Sequence, residues 1–170
     1  MSVSTAEIFN SQAKDKAEIQ LVVFTLSGCE LALEIQEVRE IIRVSEITLM
    51  PKAPKYLEGI INLRGRIFPV LDLKKRFEMP LVERTPETRI LVVETKDQML
   101  GLLVDKVVEV LRVSPTAIEK ATQPVLNITL DFVKGLLTVR DRLIILFNME
   151  KTFNLEGLRV VVDSEAAIPK

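Results

Sequence analysis

The sequence contains two related copies of one pattern. Residues 18–44 align without a gap on residues 87–113 at an offset of 69, and residues 56–77 align on residues 132–153 at an offset of 76. The change of offset means that the second copy has seven additional residues between its two aligned blocks. A solenoid needs about three repeats to bury its faces. The repeat therefore predicts a pseudo-symmetric pair of similar subdomains.

Each copy reads mainly as short strands. Residues 19–26 form an apolar run, and residues 29–35 alternate apolar and polar side chains, which is typical of a half-buried strand. Arg64-Gly65 predicts a hairpin turn, matched by Arg140-Asp141 in the second copy. The spacing of Ile35, Val38, Ile41 and Ile42 predicts about two turns of helix. We therefore expect a mainly β chain of two small barrels with short helices.

The repeat also sets the expected domain organisation. We expect a flexible N-terminus over residues 1–17 and a folded region over residues 18–153. Within the folded region, the first barrel copy is predicted at about 18–79 and the second at about 87–153. Residues 154–170 are predicted to form a C-terminal tail.

Composition restricts the partners. The chain has 23 basic and 24 acidic residues and few aromatic residues, so we expect no nucleic-acid partner. No apolar run approaches the ~18 residues of a membrane helix, so we expect no membrane insertion. The N-terminus lacks the apolar segment of a signal peptide, and Cys29 has no second cysteine to pair with. These features favour a cytoplasmic location.

The sequence predicts no catalytic centre, metal site or cofactor. Histidine is absent, and there is no phosphate-binding loop, dinucleotide motif or paired-cysteine motif. Cys29 lies on the apolar face of a predicted strand, as a buried small side chain would. A carboxylate pair would have to come from Asp72, Asp105, Asp131 and Asp141. Asp72 and Asp105 follow apolar runs, where capping and turn roles are common, so catalysis is disfavoured.

Two charged features of the sequence suggest binding roles. Residues 74–76 form a basic run, which is interpreted as a solvated helix face, with a phosphate or acidic partner as the alternative. Arg64 lies at a predicted turn and Glu40 in the predicted helical segment, and Glu109 and Arg140 occupy the matching positions of the second copy. An ion pair repeated in both copies is expected, and an exposed pair contributes only ~0–1 kcal/mol to stability, which favours a recognition role.

The residues over 53–73, including Asn62-Leu63-Arg64-Gly65 and the Pro-Val-x-Asp-Leu ending, resemble the signature of the CheW family of chemotaxis coupling proteins. Residues 38–43, 101–105 and 141–146 resemble further segments of that family. The resemblance covers about residues 18–153. It implies two five-stranded SH3-like barrels packed around a shared core.

The resemblance implies a non-catalytic adaptor that couples transmembrane chemoreceptors to the histidine kinase CheA. The implied partners are the receptors' cytoplasmic tips and the regulatory domain of CheA, with recruitment to receptor arrays at the inner face of the membrane. By position, Glu40, Arg64 and Gly101 would serve receptor coupling, whereas Val38 and Gly59 would serve kinase binding.

The sequence departs from the family pattern at two helix-associated positions. Glu78 stands where glycine is common, and Asn148 stands where aspartate is usual. Three other readings remain. The chain could be the related domain of CheV or of CheA, although it carries no phosphorylatable histidine. A small-barrel nucleic-acid-binding module is a further alternative, disfavoured by charge and by the scarcity of aromatic side chains.

Overall fold

The computed structural model describes residues 18–51, 53–95, 98–126 and 128–153. These residues form ten strands, two short α-helices and three 3-10 turns. The predicted N-terminus and tail lie outside the described residues. The strands are β1 (Ile19–Leu26), β2 (Cys29–Glu34), β3 (Val38–Arg43), β4 (Leu57–Leu63), β5 (Arg66–Asp72), β6 (Arg89–Thr95), β7 (Gln98–Val104), β8 (Lys106–Val113), β9 (Val133–Val139) and β10 (Arg142–Phe147), and the helices are α1 (Leu73–Arg76) and α2 (Met149–Thr152).

The strands form two five-stranded sheets that exchange strands between the sequence copies. One sheet has the order β8-β1-β2-β10-β9 and the other the order β3-β6-β7-β5-β4. The copies match element by element, β1 with β6 through β5 with β10, so the two orders are the same. Each sheet nevertheless takes two strands from one copy and three from the other. The prediction of one barrel per copy, at 18–79 and 87–153, is thus corrected to two barrels that each need both copies.

Each sheet curves into a small barrel that a backbone bridge helps to close. In the sheet containing β3, here called barrel B, Thr48 pairs with Ile60 through two N–H···O bonds of 2.9 Å. In the sheet containing β8, here called barrel A, Glu119 pairs with Leu136 through two bonds of 2.7 Å. Barrels A and B therefore have the same construction, as expected from the repeat.

Three apolar clusters divide the core. The largest joins the two barrels and includes Phe24, Phe77 and Phe147, whose rings meet edge to face. Each barrel also has its own interior. Leu21, Val23, Ala32, Ile144 and Leu146 fill barrel A, and Ile61, Phe68, Val70, Ile90, Val92 and Leu103 fill barrel B. The expected fold of two small barrels around a shared core is confirmed.

The predicted helix around residues 35–42 is wrong. Ile35–Glu37 forms a single 3-10 turn, and the following residues form strand β3, which pairs antiparallel with β6. The spacing of apolar residues did not mark a buried face, because Ile35 and Ile41 are 37% and 42% exposed, whereas Glu40 is half-buried. In β3 the half-buried residues alternate with exposed ones instead.

Both short helices begin at equivalent caps. The Asp72 carboxylate accepts a hydrogen bond from the backbone N–H of Lys74 at 2.9 Å, and the Asn148 side-chain oxygen accepts one from Lys151 at 3.2 Å. The predicted cap at Asp72 is confirmed. Burial raises the pKa of the Asp72 carboxyl above its ordinary value, because little solvent reaches it. Among the described residues, no helix has the length and apolar character needed to span a bilayer.

Candidate functional site

A cleft of about 640 Å³ lies at the open end of barrel B. Its floor is formed by Val92 of β6 and Met99 of β7, which continue the row of side chains that fill the barrel interior. Its walls come from the 3-10 turn, from β3 and from the hairpin between β4 and β5. The wall residues are Ile35, Gln36, Val38, Arg39, Glu40, Leu63, Arg64 and Arg66.

The β4–β5 hairpin places Arg64 at the rim of this cleft. Arg64 and Gly65 both have positive φ, +52° and +86°, as a two-residue type I′ turn requires. The Asn62 side-chain oxygen accepts a hydrogen bond of 2.9 Å from the Gly65 backbone N–H, which fixes the turn. The predicted hairpin is therefore present in the structure, and its tip faces β3.

The predicted pair between Arg64 and Glu40 also forms. A guanidinium nitrogen of Arg64 lies 2.5 Å from a carboxylate oxygen of Glu40, across the rim from β4 to β3. The Arg64 side chain is 70% exposed and that of Glu40 is 34% exposed. Water therefore screens this pair, which limits its contribution to stability.

Two further arginines and a glutamate complete the charges near the cleft. Arg39 lies 3.3 Å from Glu94 and Arg66 lies 4.0 Å from the same carboxylate, measured between side-chain nitrogen and oxygen atoms. With Arg64 and Glu40, the group has three guanidinium groups and two carboxylates. This end of barrel B thus combines an apolar floor with a rim of net positive charge.

The matching end of barrel A is built differently. There Arg142 of β10 donates to Glu30 of β2 through two guanidinium N–H groups, one of them at 2.9 Å, and to Glu109 of β8 at 2.7 Å. Both carboxylates hold the pKa of Arg142 above its ordinary value, and the Arg142 hydrogen bond lowers the pKa of Glu30. Arg142, Glu30 and Glu109 are here called the Arg142 cluster.

The Arg142 cluster differs from the repeated ion pair predicted from the sequence. By the repeat, Glu109 matches Glu40, so Arg140 was the expected partner. The observed partner is Arg142, which matches Arg66. Sequence reasoning also missed Arg66, Arg39, Met99 and Glu94. The available signal was the alternation of strand residues, which places Arg66 on the same face as the interior residue Phe68.

The basic run at residues 74–76 is not a solvated face. Lys74 pairs with Asp105 and is only 6% exposed, and Lys75 lies 2.5 Å from Glu58. The Arg76 guanidinium lies over the rings of Tyr56 and Phe132 and donates to the Thr152 carbonyl.

The structure also shows where the other residues considered in the sequence lie. Cys29 is half-buried against the shared core. Asp131 lies in a 3-10 turn and Asp141 in the β9–β10 hairpin turn, with a φ of +66°. Within the described ranges, no three potential metal ligands form a group that could hold an ion.

Comparison with known proteins decides the family. Residues 20–157 match the protein-family model described as CheW-like domain. The chain belongs to the CheW-like family. It is 34% identical over 137 residues to the chemotaxis protein CheW of Rhizobium meliloti (strain 1021), covering 81% of this chain and 88% of that protein. It is 30% identical to chemotaxis protein CheW of Bacillus subtilis (strain 168), covering 91% of this chain and 99% of that protein.

A solved structure agrees with this assignment. The scaffolding protein TtCheW from Thermoanaerobacter tengcongensis has 39% sequence identity and a TM-score of 0.76, covering 82% of this chain and 90% of that one. The resemblance noted in the sequence is confirmed, and the chain is a chemotaxis adaptor of the CheW type.

In this CheW-like fold, the five site residues predicted from the sequence all belong to barrel B. Val38, Glu40 and Arg64 line the cleft. Gly59 lies where the barrel closes, because a Cβ atom at this position would be 2.1 Å from the Thr48 carbonyl oxygen. Gly101 lies inside the barrel, where a Cβ atom would be 2.8 Å from the Ile90 side chain. The two glycines therefore permit close packing and offer no side chain to a partner.

Proposed function

We propose that this CheW-like chain is a non-catalytic adaptor that joins the cytoplasmic tips of transmembrane chemoreceptors to the regulatory domain of the histidine kinase CheA. In this role it works in the cytoplasm and is recruited to receptor arrays at the inner face of the membrane. Family membership supports this proposal. An adaptor of this kind acts through simultaneous contacts and therefore needs at least two surfaces.

The receptor surface in this proposal is the cleft of barrel B. The observation that carries it is the convergence of Glu40 and Arg64 on one cleft with an apolar floor. An exposed ion pair contributes too little to stability to account for its presence. A helical receptor tip suits such a cleft, because helix-in-groove docking uses apolar anchors with charged residues beside them. Gly101 supports this surface from inside the barrel.

The kinase surface in this proposal is the closing edge of barrel B, near Gly59. The Thr48 carbonyl packs against Gly59, and the next residue, Leu49, is 76% exposed. A side chain at Gly59 would displace this segment and with it the exposed leucine. Val38 also belongs to the proposed kinase side. Because Val38 lines the cleft and packs on the shared core, a charge there is expected to weaken both partners.

Calorimetric titration of the purified protein with a receptor cytoplasmic fragment and with the CheA regulatory domain tests this function. We expect Arg64→Ala to weaken receptor binding more than kinase binding, and Leu49→Glu to show the opposite bias. Leu81→Glu, at a leucine 67% exposed in the connector between the copies, is the matched control for the added charge. Equal loss of both partners in Arg64→Ala and Leu49→Glu would favour a single shared surface.

A further inference from the structure

The two barrel ends have the same strand order but differ in where their acidic side chains lie. The offset of 69 places Met99 on Glu30 and Glu40 on Glu109, and the offset of 76 places Arg66 on Arg142. The pairing of strands agrees, since Met99 pairs with Glu94 in barrel B and Glu30 pairs with Thr25 in barrel A. An arginine and a glutamate are thus present at both ends. The second carboxylate lies on a different strand at each end: Glu30 is on β2, next to the strand of Arg142, whereas Glu94 is on β6, one strand further from that of Arg66.

The position of that second carboxylate determines where the arginine lies. In barrel A, Glu30 and Glu109 together hold the Arg142 side chain across the barrel end, where it is 31% exposed. Paired carboxylates offer the planar guanidinium a bidentate contact and a third hydrogen bond, which fixes its position. In barrel B, Met99 offers no such contact. Arg66 there is 57% exposed and lies 4.0 Å from Glu94, and the cleft with Met99 on its floor is open.

We infer that the side chain at position 99, and at the matching position 30, determines which barrel end can receive a partner. Met99 leaves the barrel B end open, whereas Glu30 keeps the barrel A end filled by Arg142. This inference rests on the proposed adaptor function and specifies the receptor contact. The receptor segment places an apolar side chain on Met99. A carboxylate of the same segment lies against Arg66, the rim cation farthest from its glutamate.

The chemistry of the cleft supports this occupant. Methionine has a flexible, polarisable side chain that adapts to apolar groups of different shape. The three guanidinium groups near the cleft exceed the two carboxylates, so an acidic segment complements the rim. An adaptor in which the ends of both barrels were open would have two similar pockets. Filling one end gives the receptor a single site of this kind.

Met99→Glu tests the inference, because it places a carboxylate in barrel B at the position that Glu30 occupies in barrel A. We expect Arg66 to move between the new carboxylate and Glu40, and affinity for a purified receptor cytoplasmic fragment to fall at least tenfold by calorimetry. Met99→Gln has the same shape without the charge and should lose less than about threefold. Equal losses in the two variants, or an unchanged affinity in Met99→Glu, would overturn the inference.

Two further measurements keep this test decisive. Wild-type protein that fails to bind the receptor fragment contradicts the proposed function, whereas wild-type binding with an insensitive Met99→Glu variant contradicts only this inference. If Met99→Glu does not fold, Glu30→Met provides the reciprocal test. Releasing Arg142 should add a second, weaker binding event for the same fragment, and a titration that still shows one event would contradict the inference.

Discussion

Replacing Arg64 by alanine separates a recognition role from a structural one. The substitution removes the 2.5 Å contact with Glu40, between side chains that are 70% and 34% exposed. An ion pair this exposed contributes about 0–1 kcal/mol. For a chain of 170 residues, 1 kcal/mol shifts the melting temperature by about 2–4 °C. We therefore expect Arg64→Ala to melt within about 4 °C of the wild type while its receptor affinity falls.

Arg140→Ala is the matched control for the backbone at this turn. Arg64 and Arg140 occupy equivalent hairpin turns with φ values of +52° and +49°, so alanine meets the same left-handed conformation at both sites. Circular dichroism melts and calorimetric titration with a receptor fragment should be run on both variants. The reasoning would be refuted if Arg64→Ala lost more than about 4 °C relative to Arg140→Ala and bound the receptor fragment normally.

Three further substitutions test the structure around this surface. Arg76→Ala should lower the free energy of unfolding by about 2–4 kcal/mol in urea, since it loses two ring contacts and a charged hydrogen bond; a loss below 0.5 kcal/mol would contradict this packing. Asp72→Asn should be at least as stable as the wild type at neutral pH. Because the Asp72 pKa is raised, the folded protein binds this proton more tightly than the unfolded chain does. Ionisation of Asp72 therefore lowers the stability of the wild type as pH rises. In acid, where Asp72 is protonated, the free energies of unfolding of the variant and the wild type should become equal. Gly101→Ala should lose about 1–3 kcal/mol by overpacking, and a variant with normal stability but no receptor binding would instead make Gly101 a contact residue.

The repeat allowed the strands to be predicted, but not the way in which they are shared. Period-two alternation and the turn residues Arg64-Gly65 are local signals, so β2, the β4–β5 hairpin and the Asp72 cap could all be predicted. The exchange of strands is set by long-range pairing, such as the parallel contact of β10 with β2, which leaves no local trace. A repeat therefore shows that two units are alike without showing which strands complete each sheet.

The difference between local and long-range signals also explains which ion pairs of the site could be predicted from the sequence. The contact between Arg64 and Glu40 was predictable because two candidate charges recurred at fixed offsets. The partner of Glu109 was not predictable, because the choice between Arg140 and Arg142 depends on Glu30, which comes from the other copy and reaches the same barrel end only through the strand exchange. The prediction of a helix at β3 failed because two of the apolar residues that gave the helical spacing, Ile35 and Ile41, are exposed.

A few unmatched outward side chains explain how a repeated fold can present two different surfaces. The interior positions of the barrels match, as Val92 and Val23 do, because each small barrel must be filled in the same way. The outward positions of the equivalent strands are free to differ. Arg39 on β3 corresponds to Val108 on β8, which is 39% exposed, so one outer face is charged where the other is apolar. A duplicated unit with identical surfaces would bind one kind of partner twice, whereas an adaptor must bind two kinds. The chemistry that separates the two ends therefore has to lie in these few unmatched side chains.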